Sequence, residues 1–359
     1  MKTQATLTLV ATVFLSASAV TAKASTAGWN PFGDVTPTGI GNIPQGPNPI
    51  LGYPALHLSA VDLYQAEGTP VYSVRAGFAS IVNLPSPEDW TTTIQVKSVD
   101  GLLTYFMHLD PNSVSSNPDE RSKTGAWVTE GTYLGRLTKA PAPLHSHVHF
   151  GVADCKRRRG INPLGLLAIK DTEAPKILAI LAEKKGIDQG ETLTGKVDLT
   201  AEAVDTIDGM AGNFAPNRIE FSIRPLFGNR APIFKTVLFD ATEYPFLPKI
   251  GVSHSPETNF DCEHFDEFDG YTPRIGMTLY RWRKYDPAHP EAQLSFALTA
   301  NTQFLSAADR TWIKPHEGPW DTTLVLDGRY EIKVTASDIR GNRTTKRRVF
   351  EVQNSQSRL

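Results

Sequence analysis

Residues 144–152 read LHSHVHFGV, which places His145, His147 and His149 at every second position with Val148 among the residues between them. A β-strand sends residues i, i+2 and i+4 to one side, so the three imidazoles would share a face at steps of about 7 Å. Protonated rings so placed repel one another, and neutral rings buried together need hydrogen-bond partners. Two readings follow: a metal or catalytic cleft, or a polar edge strand facing solvent. The rest of the chain has to decide between them.

Working outward, His57 opens HLSAVD (57–62) and so lies close to Asp62, while TYFMHLD (104–110) sets His108 after an alternating run. Two imidazoles and one carboxylate are a common zinc set that leaves a position for water. Bound zinc lowers the pKa of that water to about 7, which makes hydroxide available for attack on an amide. Two further histidines that are not ligands could take its proton and stabilise the oxyanion. Five histidines and one aspartate supply such a set with one imidazole to spare.

The composition, 40% apolar and 21% charged over 359 residues, is that of an ordinary soluble chain long enough for two domains. Residues 1–24 carry Lys2, an apolar run from Leu7 to Val20 and a small-x-small end at Ala22-Lys23-Ala24. That pattern is expected to be a secretory signal peptide cut after Ala24; the competing reading is an uncleaved anchor. No later segment is long and apolar enough to span a bilayer. Losing Lys2 and Lys23 takes the formal charge from −2 to −4, a weakly acidic balance that gives no argument for nucleic acid. Cys155 and Cys262 are the only cysteines, and sequence leaves open a disulfide or two thiols.

Residues 25–54 are rich in Gly, Pro and Asn and read as an irregular arm. Over 55–170, short alternating stretches punctuated by Gly and Pro, with no sustained 3.6-residue period, predict an all-β unit closed by a short helix or turn at Asn162-Pro163. The texture changes at Asp171, and 171–359 predicts a second β unit, a sandwich ending in a hairpin that turns at Asp338–Asn342. An irregular, aromatic-rich insertion is expected at about 225–320.

The string HLSAVDLYQAEGTPVYSVRAG (57–77) resembles the opening motif of the M23 zinc metallopeptidases of LytM or lysostaphin type, in which a histidine and an aspartate precede a G-T-P-V turn and strand. TYFMHL resembles that family's Y-x-H-L strand, KTGAWVTEGTYLG (123–135) its G-x-x-V-x-x-G segment, HVHFGV its H-x-H-F-E strand, and INPLGLL (161–167) its closing N-P-L. The likeness runs from Leu56 to Leu167 in family order. It implies a LytM-like antiparallel β-sheet domain, zinc ligands at His57, Asp62 and His149, and a catalytic, non-ligand pair at His108 and His147. His145 falls outside the pattern, with a hydrogen bond behind the site or a place at the cleft rim as its expected role. The implied substrate is the cross-linking peptide of peptidoglycan, the implied place of action the periplasm or the exterior, and the implied partners peptidoglycan peptides and other cell-wall proteins.

Three departures qualify the pattern. His57 precedes Asp62 by five residues rather than four, so a bulge or loop has to restore convergence. Gly151 stands where the family has glutamate, which takes away a carboxylate beside the site. The Gly-rich approach to H-x-H is shortened to LTKAPAPLHS (137–146). The first two favour a rival function: a catalytically impaired LytM-type module that binds cell wall or activates another hydrolase. DTEAPKI, KVDLTAEAVD and GRYEIKVTASDIRGN resemble Ig-like sandwiches of secreted proteins, which leaves an adhesin or surface-assembly role as a third reading. Asp205 and Asp208 read as strand-end turn formers in preference to calcium ligands.

Overall fold

A computed structural model describes residues 28–41, 60–83, 92–114, 125–141, 145–157, 159–184, 187–210, 214–228, 230–240, 243–245, 295–298 and 319–354. Regular structure among them is strand, apart from 3-10 turns at Pro163–Gly165 and Thr322–Leu324. No helix among the described residues is long and apolar enough to cross a membrane.

The first group of strands comprises β1 (Gly39–Ile40), β2 (Ala60–Tyr64), β3 (Pro70–Tyr72), β4 (Gly77–Asn83), β5 (Thr93–Lys97), β6 (Leu102–Met107), β7 (Ala126–Val128), β8 (Tyr133–Arg136), β9 (His147–Asp154) and β10 (Arg159–Ile161). Seven form a sheet in the order β1-β2-β9-β6-β5-β4-β7, β10 lies beside β9, and β3 and β8 pair separately. The stretch read as an irregular arm therefore contributes β1, which pairs with β2. Alternation explains the layering. Val61, Leu63, Phe106, Val148, Phe150 and Val152 lie on one side and are wholly buried. At about 1.5–3 kcal/mol for each fully buried large apolar side chain, that face fixes the register.

The second group comprises β11 (Lys176–Lys184), β12 (Ile187–Asp188), β13 (Thr192–Leu193), β14 (Lys196–Val204), β15 (Arg218–Pro225), β16 (Phe234–Asp240), β17 (Glu243–Pro245), β18 (Ser295–Ala297), β19 (Trp320–Asp321), β20 (Gly328–Ser337) and β21 (Arg343–Val352). One sheet runs β12-β11-β14-β18, with β19 beside β14, and the other runs β13-β21-β20-β15-β16. The alternation at Val197, Leu199, Ala201 and Ala203 supplies one inner face, and Phe221, Ile332, Val334 and Phe350 supply the other. This is a β-sandwich. β20 and β21 form the expected hairpin, closed by Asn342 N donating to Asp338 Oδ1 at 2.9 Å. Of the stretch read as an insertion, β16 pairs with β15, while most of residues 246–318 lie outside the described residues.

The two groups share a boundary layer. Ile207 and Phe214 belong to the same core cluster as Leu164 and Leu167, with Ile339 packed against it. β17 pairs with β10 and so adds a strand from the second group to the first sheet. Asn162, 1% exposed, caps the 3-10 turn by accepting from Leu164 N at 3.1 Å and donates to Asn217 Oδ1 at 3.1 Å. Cys155, next after β9, is disulfide-bonded, and the chain's other cysteine, Cys262, lies outside the described residues.

Asn162→Ala removes a cap and a buried bridge at once, and is expected to lower unfolding free energy by about 1–3 kcal/mol. Denaturant titration of the full chain would read this, and an unchanged midpoint would show that the bridge contributes nothing net.

Candidate active site

β9 lies between β2 and β6, and its register decides what meets. Asp62 and Tyr64 of β2 stand opposite His149 and His147, and Met107 and Tyr105 of β6 stand opposite His149 and Gly151. Because the core takes Val148, Phe150 and Val152, the histidines are forced to the other face together with Asp62, Tyr64 and Tyr105. Asp62 Oδ1 lies 2.9 Å from His149 Nδ1 and 3.6 Å from His147 Nε2. All three side chains are buried.

A buried carboxylate and imidazole hold together only when their polar atoms are met. For His147 part of the answer is visible: Nδ1 lies 2.7 Å from the carbonyl oxygen of His145. A carbonyl only accepts, so Nδ1 carries the hydrogen, and a neutral His147 presents the Nε2 lone pair. His145 thus serves through its backbone; its ring is exposed and stands 5.7 Å from that of Tyr64.

His108 reaches the same place by a different route. It follows Met107, the last residue of β6, and continued alternation would turn it toward the core. Instead it has φ 67°, the one positive φ at a non-glycine residue among those described. Histidine tolerates this left-handed conformation better than most residues, at about 1–2 kcal/mol. Thr138 N donates to His108 O at 3.0 Å and Leu109 N to Thr92 O at 3.2 Å, which holds the turned backbone. Its ring then lies 4.7 Å from that of His147, edge to face, and 6.0 Å from that of His149.

Four of the five expected site residues are thereby together: Asp62, His108, His147 and His149. His57 lies outside the described residues. Ligands of a tetrahedral zinc at about 2.0–2.1 Å stand about 3.4 Å apart. Asp62 Oδ1 and His149 Nδ1, at 2.9 Å, need to part by only a few tenths of an ångström to hold one ion, so this donor pair fits zinc.

Two tyrosines in the site were missed by the sequence reading. Tyr64 shares the face of Asp62 by simple alternation, a signal that was present. Its ring lies 5.7 Å from that of His147, and burial, then the charge of Asp62, pushes its pKa up to about 12, so it stays a neutral phenol. Tyr105 explains Gly151. A Cβ at position 151 would meet Tyr105 Cζ at 1.8 Å, so the Tyr105 ring fills the space over that glycine. The same ring stands 6.0 Å from that of His149.

No family model matches the sequence, and no curated protein sequence matches it. Among solved structures, the chain is similar to a zinc-containing peptidase from Vibrio cholerae at 21% identity, over 35% of this chain and 36% of that one, with TM-score 0.25. It is similar to a putative M23 peptidase from Pseudomonas aeruginosa at 21% identity, over 36% and 45%, with TM-score 0.23. The catalytic domain of lysostaphin from Staphylococcus simulans aligns at 24% identity over 33% of this chain and 77% of its own, with TM-score 0.24. The chain thus spans less than half the length of the first two structures.

Gly151→Ala is expected to cost about 1–3 kcal/mol by overpacking, and the cost should largely vanish in a Tyr105→Ala background. A double-mutant cycle in denaturant reads the coupling directly. At position 108, glycine should be more stable than alanine by about 1–2 kcal/mol, since both lack the imidazole and only glycine adopts the left-handed backbone freely. Equal stabilities would remove the strained conformation.

Proposed function

We propose that this chain is a zinc-dependent peptidase that hydrolyses the cross-linking peptides of peptidoglycan outside the cytoplasm. The observation that carries the reading is the convergence of Asp62 and His149 on one buried face, with His147 and His108 beside them. The order and spacing of the motifs from residue 57 to 167 support it independently of that geometry.

His149 Nδ1 and Asp62 Oδ1 would hold the metal, with His57 as the third ligand that the motif supplies. Bound zinc contributes a Lewis acid that acidifies water and polarises an amide carbonyl. The protein's own groups do the rest. His147, held by the His145 carbonyl, offers Nε2 to take a proton from the attacking water and return it to the leaving amine. His108, turned toward the same point, donates to the oxygen that gains charge. Tyr64, a neutral phenol, flanks His147 with its ring.

The purified chain is expected to carry about one zinc, and Asp62→Ala or His149→Ala should abolish it, as elemental analysis would show. His147→Ala should keep the metal yet lose about 10² to 10⁴ in the rate of amino-group release from purified peptidoglycan. His145→Ala, which leaves the backbone carbonyl in place, should change little. A folded chain that takes up no zinc and cleaves nothing would be a wall-binding or hydrolase-activating module.

A further inference from the structure

The end of the first sheet remote from the histidines carries a surface that the proposed reaction does not use. His147 opens β9 and Asp154 closes it, so the two ends stand about 23 Å apart along the extended chain. At the remote end the chain turns from β5 to β6 through residues 98–101 and from β9 to β10 through residues 155–158. The two turns are tied together. Cys155 N donates to Gly101 O at 3.0 Å, and Lys156 lays its carbon chain over Gly101, where a Cβ would meet Lys156 Cγ at 2.7 Å.

Apolar side chains stand out into solvent here. Among the described residues of the first group, four large apolar side chains are exposed, and three of them belong to this end: Val99 at 77%, Trp127 at 50% and Phe78 at 47%. Strand pairing joins them. Trp127 stands opposite Phe78, and Phe78 opposite Lys97, two residues before Val99. The Phe78 and Trp127 rings meet edge to face with centroids 5.0 Å apart. A single exposed apolar residue needs no explanation, but three joined across adjacent strands mark a contact surface.

Cations surround these side chains. Arg75, Lys97, Lys156, Arg157 and Arg159 lie at this end, with Arg158 among them in sequence, against Asp100, Asp154 and, in the turn after β7, Glu130. Arg75 pairs with Asp100, and Asp154 holds Arg157 at 3.4 Å and Arg159 at 3.7 Å. The Arg157 side chain nonetheless stands outward, 69% exposed, and Lys97 and Lys156 are exposed as well. This positive surplus sits on a chain whose formal net charge is −2, so it is a local feature and not a reflection of composition.

We propose that this end of the first sheet docks on an anionic phospholipid surface, with Val99, Trp127 and Phe78 entering the interface and the cations meeting lipid phosphates. The combination decides the occupant. A polyanion in solution needs only the cations and leaves Val99 in water, whereas an apolar protein face leaves the cations unmatched. A phospholipid surface accepts both: aromatic rings at headgroup level, an aliphatic tip beneath it, and lysine stems that bury carbon while the ammonium stays with phosphate. Docked in this way, the chain holds His147 and His149 about 23 Å from the lipid. The inference stands independently of the peptidase reading.

The test is sedimentation of the full chain with phosphatidylcholine vesicles, with and without about 30% phosphatidylglycerol. Binding to the anionic vesicles is expected to be at least about tenfold tighter than to neutral ones, and to weaken at least about tenfold between about 0.05 and about 0.5 M salt. Each cation near the surface contributes about fivefold, so the double variant Lys156→Ser, Arg157→Ser should bind about 25-fold more weakly. Val99→Ser should lose about threefold to tenfold with no change in charge. Brominated acyl chains should quench tryptophan emission in the unmodified chain, and Trp127→Phe should remove most of that quenching. All variants keep residues 1–24, so differences between them report this surface and not the apolar N-terminal run. Asp62→Ala, at the other end of the sheet, should bind vesicles as the unmodified chain does while losing zinc, so the two readings fail separately. The proposal is overturned by equal binding to neutral and anionic vesicles, or by unchanged binding in both the double variant and Val99→Ser. Binding to soluble polyphosphate that is as tight as to vesicles and indifferent to Val99→Ser would overturn it too.

Discussion

Asp62 stands opposite His149 in the β2–β9 ladder, and that single register aligns the rest of the site. A slip of one residue would drive His147 and His149 into space now filled by Val148 and Phe150, and would carry those side chains to the polar face. Burial of the apolar face enforces the arrangement, since Val61, Leu63, Val148 and Phe150 are all fully enclosed. The energy that places the polar groups therefore comes from the opposite side of the sheet. The histidines need not attract one another; the core holds them together at the cost of burying an imidazole cluster and a carboxylate.

What could be read in the sequence follows the same division. The two-residue period gave the strands, their inner faces, the sandwich hairpin and the common orientation of His147 and His149, because each depends on local alternation. His108 shows the limit: alternation sends it to the wrong side, and the left-handed turn that corrects this is held by Thr92 and Thr138, distant in sequence. Asp205 shows another, because a strand-end aspartate reads as a turn former until the fold brings Asp171 and Asp338 against it. Tyr64 was within reach of the period argument; Tyr105 needed the β6–β9 pairing.

Gly151 illustrates how one departure changes meaning once neighbours are known. In the sequence it is a carboxylate missing from beside a metal ligand. In the fold it is the only residue type that leaves room for the Tyr105 ring, which occupies the place of a Cβ. The two positions therefore have to be considered as a unit: restoring a side chain at 151 alone would produce a clash before it supplied a carboxylate.

The boundary between the strand groups bears on the site through packing. The 3-10 turn that Asn162 caps presents Leu164 to a core shared with Ile207 and Phe214, and Leu167 joins it. Trp29, bonded to Leu166 and to Ala168 through its backbone, lays its ring 6.4 Å from Phe150 of β9. A continuous chain of contacts thus runs from the second group through Leu164 and Trp29 to the back of the strand whose front carries His147 and His149. Close-packed interiors transmit displacement through such contacts. The carboxylates of Asp171 and Asp205 border the same layer, beside Leu164, Ile207 and Phe214.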